Sequence, residues 1–180
     1  MKIKILFFAL SVMLSISVAH AEFYISAGLA AVKNTASVLK NTHKADYDTS
    51  TAYSVAAGYE FPFVDIVRIE GEYFHNRAEI KKGLGYINMD ALMANAYVDI
   101  PFILPLITPY VGAGIGYGRF ESSNVMPLQF MLGLDAEIFV IPVIGSIEYR
   151  FMQANREAKD AKSKEKYYTH MIMAKLRYEF

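Results

Sequence analysis

Two pairs of carboxylates stand out in the sequence, because closely spaced acids are the residues that general acid–base catalysis uses. Glu70 and Glu72 form one pair, and Asp135 and Glu137 form the other, each with one residue between its members. On a β-strand this spacing places both side chains on the same face. We therefore interpret the pairs as parts of polar strand faces rather than as acid–base sites.

The other residues with catalytic potential show no spacing that favours a reaction. The chain has four histidines, His20, His43, His75 and His170. None lies at nucleophile–base spacing from a serine and an acid, as a triad would require. The glycines of Gly112–Gly118 recur at every second residue with no helix start after them, unlike a phosphate-binding loop. Because the chain has no cysteine, thiolate metal sites and disulfides are excluded. The sequence predicts no enzyme, no metal site and no cofactor.

Polar and apolar residues alternate along most of the chain after residue 21. Clear examples are Arg68–Tyr73, Gln129–Ile138 and Lys175–Phe180. Alternate side chains face opposite sides of a strand, so each such segment has one polar and one apolar face. Eight segments are predicted, at about residues 22–32, 51–61, 66–79, 88–100, 108–120, 127–139, 144–155 and 167–180. The connections between them alternate between short ones and longer, more polar ones, which is typical of an outer-membrane barrel.

Eight amphipathic strands are compatible with a soluble sandwich or barrel and with a membrane barrel, which differ in the face that is turned inward. Charges lie in the middle of the segments, and Gly112, Gly114 and Gly116 share the face of those charges. Glycines facing a soluble core would leave cavities, whereas a narrow barrel needs that room for long inward side chains. We therefore predict an all-β fold: an eight-stranded antiparallel up-and-down transmembrane β-barrel with a polar interior.

A membrane-spanning helix is not predicted after residue 21. The longest apolar stretch there, Ile100–Ala113, contains Pro101, Pro105 and Pro109, which would break a helix. A closed sheet crosses a bilayer with strands of about ten residues, of which half are apolar. This architecture explains an apolar fraction of 54% without long apolar runs.

The alternation predicts a network of charged side chains in the lumen. Its members are Glu60, Arg68, Glu70, Glu72, Asp99, Asp135, Glu137, Glu148, Arg150, Lys175, Arg177 and Glu179. Buried charges must be paired or hydrated. We expect ion pairs that fill the lumen, since eight strands enclose little more than side-chain space. A pore lined by these groups is the alternative, and catalysis is a third.

Both ends of the chain carry targeting patterns. Lys2 and Lys4 precede a mostly apolar stretch, and Ala19-His20-Ala21 has the small-x-small pattern of a signal-peptidase site. We predict a cleaved signal peptide over residues 1–21 and a barrel domain over residues 22–180. Its removal would leave 16 basic and 18 acidic residues, a formal charge of −2. At the other end, Phe180 with Tyr178 two residues earlier resembles the signal that the outer-membrane insertion machinery reads.

An ordered series of short motifs carries a resemblance to a known family. The series comprises Ala57–Phe61, Val67–Tyr73, Met93–Ile100 and Thr108–Gly116, and its most specific block is Pro109–Gly114. It resembles the opacity-protein-like outer-membrane β-barrels, which include porin-family surface antigens. The resemblance implies an exported protein of the Gram-negative outer membrane that acts as a structural envelope protein, surface antigen or adhesin, mostly without enzymatic activity.

Function and partners are expected to follow from that architecture. The leading expectation is a non-enzymatic barrel that presents loops at the cell surface. The alternatives are a small pore or a conduit for hydrophobic ligands, and a lipid-modifying enzyme. Expected partners are outer-membrane lipid, the insertion machinery and a host or surface ligand. A net charge of zero argues against a nucleic-acid partner.

Overall fold

Alternating residues form long strands in the computed structural model of the protein. The structure describes residues 23–37, 45–46, 50–62, 64, 66–79, 86–101, 106–120, 123–138, 141–157 and 164–180. The strands are β1 (Phe23–Ser37), β2 (Ala45–Asp46), β3 (Ser50–Glu60), β4 (Val67–Glu79), β5 (Tyr86–Asp99), β6 (Ile107–Phe120), β7 (Ser123–Ile138), β8 (Val143–Glu157) and β9 (Lys164–Glu179). None of the described residues forms a helix with the length and apolarity needed to span a bilayer. The predicted signal peptide, residues 1–21, lies outside the described residues.

Antiparallel pairing closes the sheet into a barrel. Each long strand pairs with the next along the chain, and β1 pairs with β9 from Tyr24↔Glu179 to Ser37↔Lys166. The two-residue strand β2 pairs only with the end of β1. Closure removes the unpaired strand edges that a bilayer cannot solvate. The predicted eight-stranded antiparallel barrel is confirmed.

Several strands are longer than the sequence pattern indicated. β1 continues to Ser37, about five residues beyond the predicted end, and β7 begins at Ser123, about four residues before the predicted start. Backbone pairing continues at these ends, whereas the apolar face is needed only within the hydrocarbon layer. The alternation therefore fades before the strand does.

The two ends of the barrel differ in what connects the strands. Phe23 and Phe180 lie at one end, here called the terminal end, where the Phe180 amide donates to the Phe23 carbonyl oxygen at 3.1 Å. The same end holds the connections 61–66, 100–106 and 139–142. The opposite end, called the loop end, holds the connections 38–49, 80–85, 121–122 and 158–163.

Large apolar side chains cover the outer surface of the barrel. Leu29, Leu92 and Ile147 are each at least 66% exposed. Exposure of such side chains on every long strand would be unfavourable in water, at about 25 cal/mol per Å². Aromatic side chains border this surface, with Phe23 and Tyr59 in edge contact at 4.9 Å at the terminal end. The surface therefore matches a lipid environment bounded by aromatic girdles.

Candidate functional site

The interior of the barrel is narrow because glycines on β6 make room for side chains of β5. A Cβ added at Gly112 would collide with the ring of Tyr97, and one at Gly114 with the amide of Asn95. A Cβ at Gly116 would collide with the sulfur of Met93. Large side chains therefore interlock with the glycine positions, as the sequence pattern predicted. They fill the space that a wider barrel would leave to water.

A chain of alternating charges crosses the lumen near the terminal end. Arg68 Nη2 lies 2.6 Å from Asp99 Oδ1 and 3.3 Å from Asp135 Oδ2. Arg177 Nη1 lies 3.0 Å from the same Asp135 oxygen and Arg177 Nε lies 3.1 Å from Glu179 Oε1. Asp135 thus bridges two arginines from strands that are not adjacent to each other. Both guanidinium groups are covered by tyrosine rings, which exclude water from the ion pairs.

A second cluster lies deeper in the lumen around Arg150. Its guanidinium contacts Glu72 Oε1 at 2.8 Å and Glu148 Oε1 at 2.7 Å, and all three side chains are 0% exposed. Gln129 donates to Asn95 at 2.7 Å and Asn95 donates to Glu72 at 2.8 Å. These bonds connect strands on opposite sides of the barrel. The cluster therefore forms a continuous polar layer across the lumen.

Lys175 connects the central cluster to neighbouring acids and tyrosines. Its Nζ lies 3.5 Å from Glu70 Oε1 and 3.9 Å from Glu148 Oε2. Tyr97 donates to Glu70 at 3.1 Å, and Tyr110 donates to Glu148 at 2.9 Å. Each buried carboxylate in this layer thus accepts from several donors, which is the condition under which buried ions are tolerated.

The lumen also contains a mostly apolar layer toward the loop end, in addition to the predicted polar interior. Ser50, Ser54, Asn76 and Thr169 are buried polar residues in the same half of the barrel. The buried cluster consists of Ala30, Val32, Ala52, Phe74, Met89, Ala91, Met93, Val125, Met152, Ala154, Met171 and Met173. Methionine is flexible and fills irregular space between the strands. The prediction missed this layer because Met93, Met171 and Met173 alternate with apolar outward residues, so these parts of β5 and β9 show no polar face.

The twelve charged residues predicted for the lumen occupy three environments. Nine of them are buried: Arg68, Glu70, Glu72, Asp99, Asp135, Glu148, Arg150, Lys175 and Arg177. Glu60 and Glu179 are half-buried at the terminal rim. Glu137 is exposed at the terminal rim, so its membership in the lumen network stays a prediction. It lies one residue from the end of β7, where the inward position opens to the rim.

Polar and aromatic side chains complete the interior and were not predicted as site residues. They are Tyr24, Asn95, Tyr97, Tyr110 and Gln129, all buried. Arg68 lies between two of the rings, 5.2 Å from the centroid of Tyr97 and 5.1 Å from that of Tyr110. Their signal was present in the alternation, because each occupies the inward parity of its strand.

Two histidines lie on the outer face toward the loop end, as predicted. His75 Nδ1 is 2.7 Å from Asp90 Oδ1, and the Tyr73 hydroxyl donates to the same oxygen at 2.6 Å. His170 Nδ1 is 2.7 Å from the Tyr149 hydroxyl. His75 thus has an acidic partner that sequence spacing did not reveal, because Asp90 lies on the neighbouring strand. The ring of His75 also packs against the ring of Tyr53. Among these described contacts, His75 and Asp90 form a dyad without a serine nucleophile.

The geometry supports no metal centre within the described residues. No group of three or more His, Cys, Asp or Glu side chains among them is arranged to hold a metal ion. The carboxylates of the lumen are instead directed at arginine, lysine, amide and tyrosine donors. In chemical terms, the interior is a network of paired ions and hydrogen bonds capped on one side by an apolar layer.

Comparisons with known proteins agree with this architecture. Among solved structures, Neisserial surface protein A superposes with a TM-score of 0.68 at 19% identity, covering 88% of this chain and 97% of that chain. OprG from Pseudomonas aeruginosa gives a TM-score of 0.55 at 17% identity, covering 89% and 96%. Ail of Yersinia pestis gives 0.53 at 17% identity, covering 89% and 100%. These likenesses show that the fold is an outer-membrane barrel.

Sequence comparison identifies the family. An uncharacterized protein of Brucella abortus (strain 2308) is 38% identical over 66 residues, which cover 32% of this chain and 23% of that relative. The chain therefore spans less than a quarter of that curated relative's length. Residues 5–180 match the family described as outer membrane protein beta-barrel domain. The match confirms the resemblance read from the sequence and the location in the Gram-negative outer membrane. The chain belongs to the outer membrane protein beta-barrel domain family.

Proposed function

We propose that this outer-membrane barrel is a non-enzymatic, non-conducting envelope protein that presents its loop end as a surface antigen or adhesin. The observation that carries the proposal is the complete burial of Arg150 with Glu72 and Glu148 across the middle of the lumen. An ion that crossed this layer would have to separate paired charges that no water hydrates. Such separation is strongly unfavourable in a low-dielectric environment.

The orientation of the barrel follows from its connections. An even number of long strands brings both ends of the described chain to one side. In bacterial barrels the short turns face the periplasm and the longer loops face outward. The longest connection, residues 38–49, lies at the loop end. We therefore assign the loop end to the cell exterior, where connections 38–49 and 158–163 would meet other molecules.

A conduit for hydrophobic ligands is the second candidate. The apolar layer of the lumen, which contains Met152, Met171 and Met173, favours it. This layer lies toward the loop end, where an apolar molecule would enter from outside. However, Val32, Phe74 and Met173 within it are 0% exposed, and the charged layer lies beneath it. An apolar ligand would therefore need both layers to rearrange before it could pass.

Planar-bilayer recording of the purified full-length protein tests the first proposal. We expect no discrete conductance steps under conditions in which a general porin in the same bilayer gives them. Reproducible steps from the wild-type protein would contradict the proposal. Transfer of a fluorescent hydrocarbon dye into vesicles containing the protein tests the conduit, and acceleration over protein-free vesicles would establish it.

The proposed absence of enzymatic activity has its own test at the His75–Asp90 pair. Lipid A incubated with the protein should keep all of its acyl chains, as judged by mass spectrometry. Deacylation by the wild-type protein that disappears in His75→Ala would overturn the proposal. Epitope tags placed separately in residues 158–163 and 100–106 test the orientation, since antibody should label only the first on intact cells.

A further inference from the structure

Among the outer-face side chains that the structure describes, the charged ones lie in the loop-end half of the barrel. Among the outward positions whose side chains the structure describes, the charged and histidine residues are Lys33, His75, Arg77, Asp90, Arg119 and His170. From this band to the terminal end, the described outward positions carry apolar or tyrosine side chains. We call these six residues the loop-end band. Within it, the cations Lys33, Arg77 and Arg119 outnumber the single acid Asp90.

The densest part of the band lies on β4, β5 and β6. His75 pairs in register with Asp90, and Asp90 pairs with Arg119, so the three form one row across adjacent strands. Arg77 lies two residues beyond His75 toward the loop end, and it pairs with Asn88. Strands lie about 4.8 Å apart, so the backbones of the two arginines are about 10 Å apart laterally. Both side chains are exposed and are long enough to reach one headgroup.

The depth of the two arginines matches the headgroup layer of a membrane. Tyr73 and Tyr117 lie on the same strands, four residues before Arg77 and two before Arg119. At about 3.3 Å per residue, the arginines therefore lie about 7–13 Å beyond aromatic side chains that mark the membrane interface. Asp90 accepts a hydrogen bond from the Tyr73 hydroxyl at 2.6 Å and lies 2.7 Å from His75 Nδ1. It also pairs in register with Arg119, so one acid lies beside the two arginines.

The chemistry of this band selects for an anionic lipid group. Guanidinium groups bind phosphate through two parallel hydrogen bonds, and arginines beside an anionic surface each contribute about 1 kcal/mol. The outer leaflet of a Gram-negative outer membrane contains a phosphorylated glycolipid, and the loop end is the end assigned to that leaflet. We propose that Arg77 and Arg119 form a binding site for the phosphate groups of this glycolipid. The site goes beyond the proposed function and does not depend on whether the lumen conducts.

Binding of lipid A to the full-length protein in uncharged maltoside micelles tests the site. The titration uses lipid A that carries its phosphates, the same lipid after chemical dephosphorylation, and inorganic phosphate. Arg77→Gln with Arg119→Gln should weaken binding of the phosphorylated lipid about 30-fold, which corresponds to about 1 kcal/mol for each arginine. Arg77→Lys with Arg119→Lys should recover most of this loss, because it keeps both charges.

A matched control separates the site from net charge. Lys159→Gln with Lys162→Gln removes the same charge from the connection between β8 and β9, and it should leave the affinity unchanged. Heat-modifiable gel migration verifies that every variant is folded. The proposal is overturned if the glutamine variant binds as the wild type does, if the lysine control weakens binding equally, or if dephosphorylated lipid binds as tightly. Inorganic phosphate that binds as tightly as the lipid would also overturn it.

Discussion

Replacing Arg150 with methionine tests whether paired charge holds the interior together. The substitution keeps a long side chain and removes the cation that contacts Glu72 at 2.8 Å and Glu148 at 2.7 Å. Both carboxylates are 0% exposed, so water cannot replace the lost donors. Removing one member of such a buried cluster costs about 3–5 kcal/mol, because it leaves uncompensated charge.

The double variant Arg150→Met with Glu72→Gln separates charge from packing. It removes one cation and one anion, while Glu148 keeps the Tyr110 hydroxyl at 2.9 Å and Lys175 at 3.9 Å. We expect it to recover at least half of the stability that the single variant loses. Non-additivity of this kind is the signature of residues that interact directly.

Urea unfolding from phospholipid vesicles measures both variants against the wild type. Because the chain contains no tryptophan, far-UV circular dichroism and the shift in gel migration report unfolding. Arg119→Met, an exposed arginine on the outer face, is the control and should change the free energy of unfolding by less than about 0.5 kcal/mol in vesicles without phosphorylated glycolipid. A loss below about 1 kcal/mol for Arg150→Met, or a double variant as unstable as the single one, would refute the reasoning.

Three further tests concern the outer face, the glycines and the last residue of the chain. Leu134 is 51% exposed on the outer face. Leu134→Arg should destabilise the barrel by about 2–4 kcal/mol if this position lies near the midplane of the bilayer. An unchanged free energy of unfolding in vesicles would contradict a lipid-facing position. Gly58→Ala should cost about 1–3 kcal/mol because its Cβ would collide with the ring of Tyr24. Gly71→Ala is the control, since its Cβ would have only the Ala57 carbonyl oxygen nearby, at 4.0 Å. In the same assay the control should be neutral or slightly stabilising. Phe180→Ala should slow membrane insertion in cells while leaving refolding in micelles intact, and equal insertion would argue against the predicted recognition signal.

The alternation of polar and apolar residues was sufficient to predict the barrel, because each residue of a strand lies on either its inner or its outer face. Arg68, Glu70 and Glu72 are inward in the sequence pattern and buried in the structure. The pattern could not say which charges meet, since Arg150 and Glu72 are 78 residues apart in the chain. Those contacts depend on strand tilt and side-chain length. Alternation specifies neither quantity.

The apolar layer of the interior could not be predicted for a related reason. Met171 and Met173 alternate with Ile172 and Ala174, so both faces of β9 are apolar there. Which face turned inward had to be fixed by the rest of the strand, where Lys175 and Arg177 define the parity. Hydropathy shows the two faces of a strand only where one of them is polar. A membrane barrel with an apolar inner layer loses that contrast.

The part of the barrel that binds other molecules can be inferred from which side chains already have partners in lipid or within the protein. Outward aliphatic side chains such as Leu29 and Leu176 need only lipid, and the buried ions around Arg150 are satisfied by one another. Neither surface requires a protein or carbohydrate partner. At the loop end, by contrast, the outer face carries Arg77 and Arg119, and polar connections join the strands. Substitutions at this end should therefore alter surface binding without altering stability, whereas substitutions at the buried ions should do the reverse.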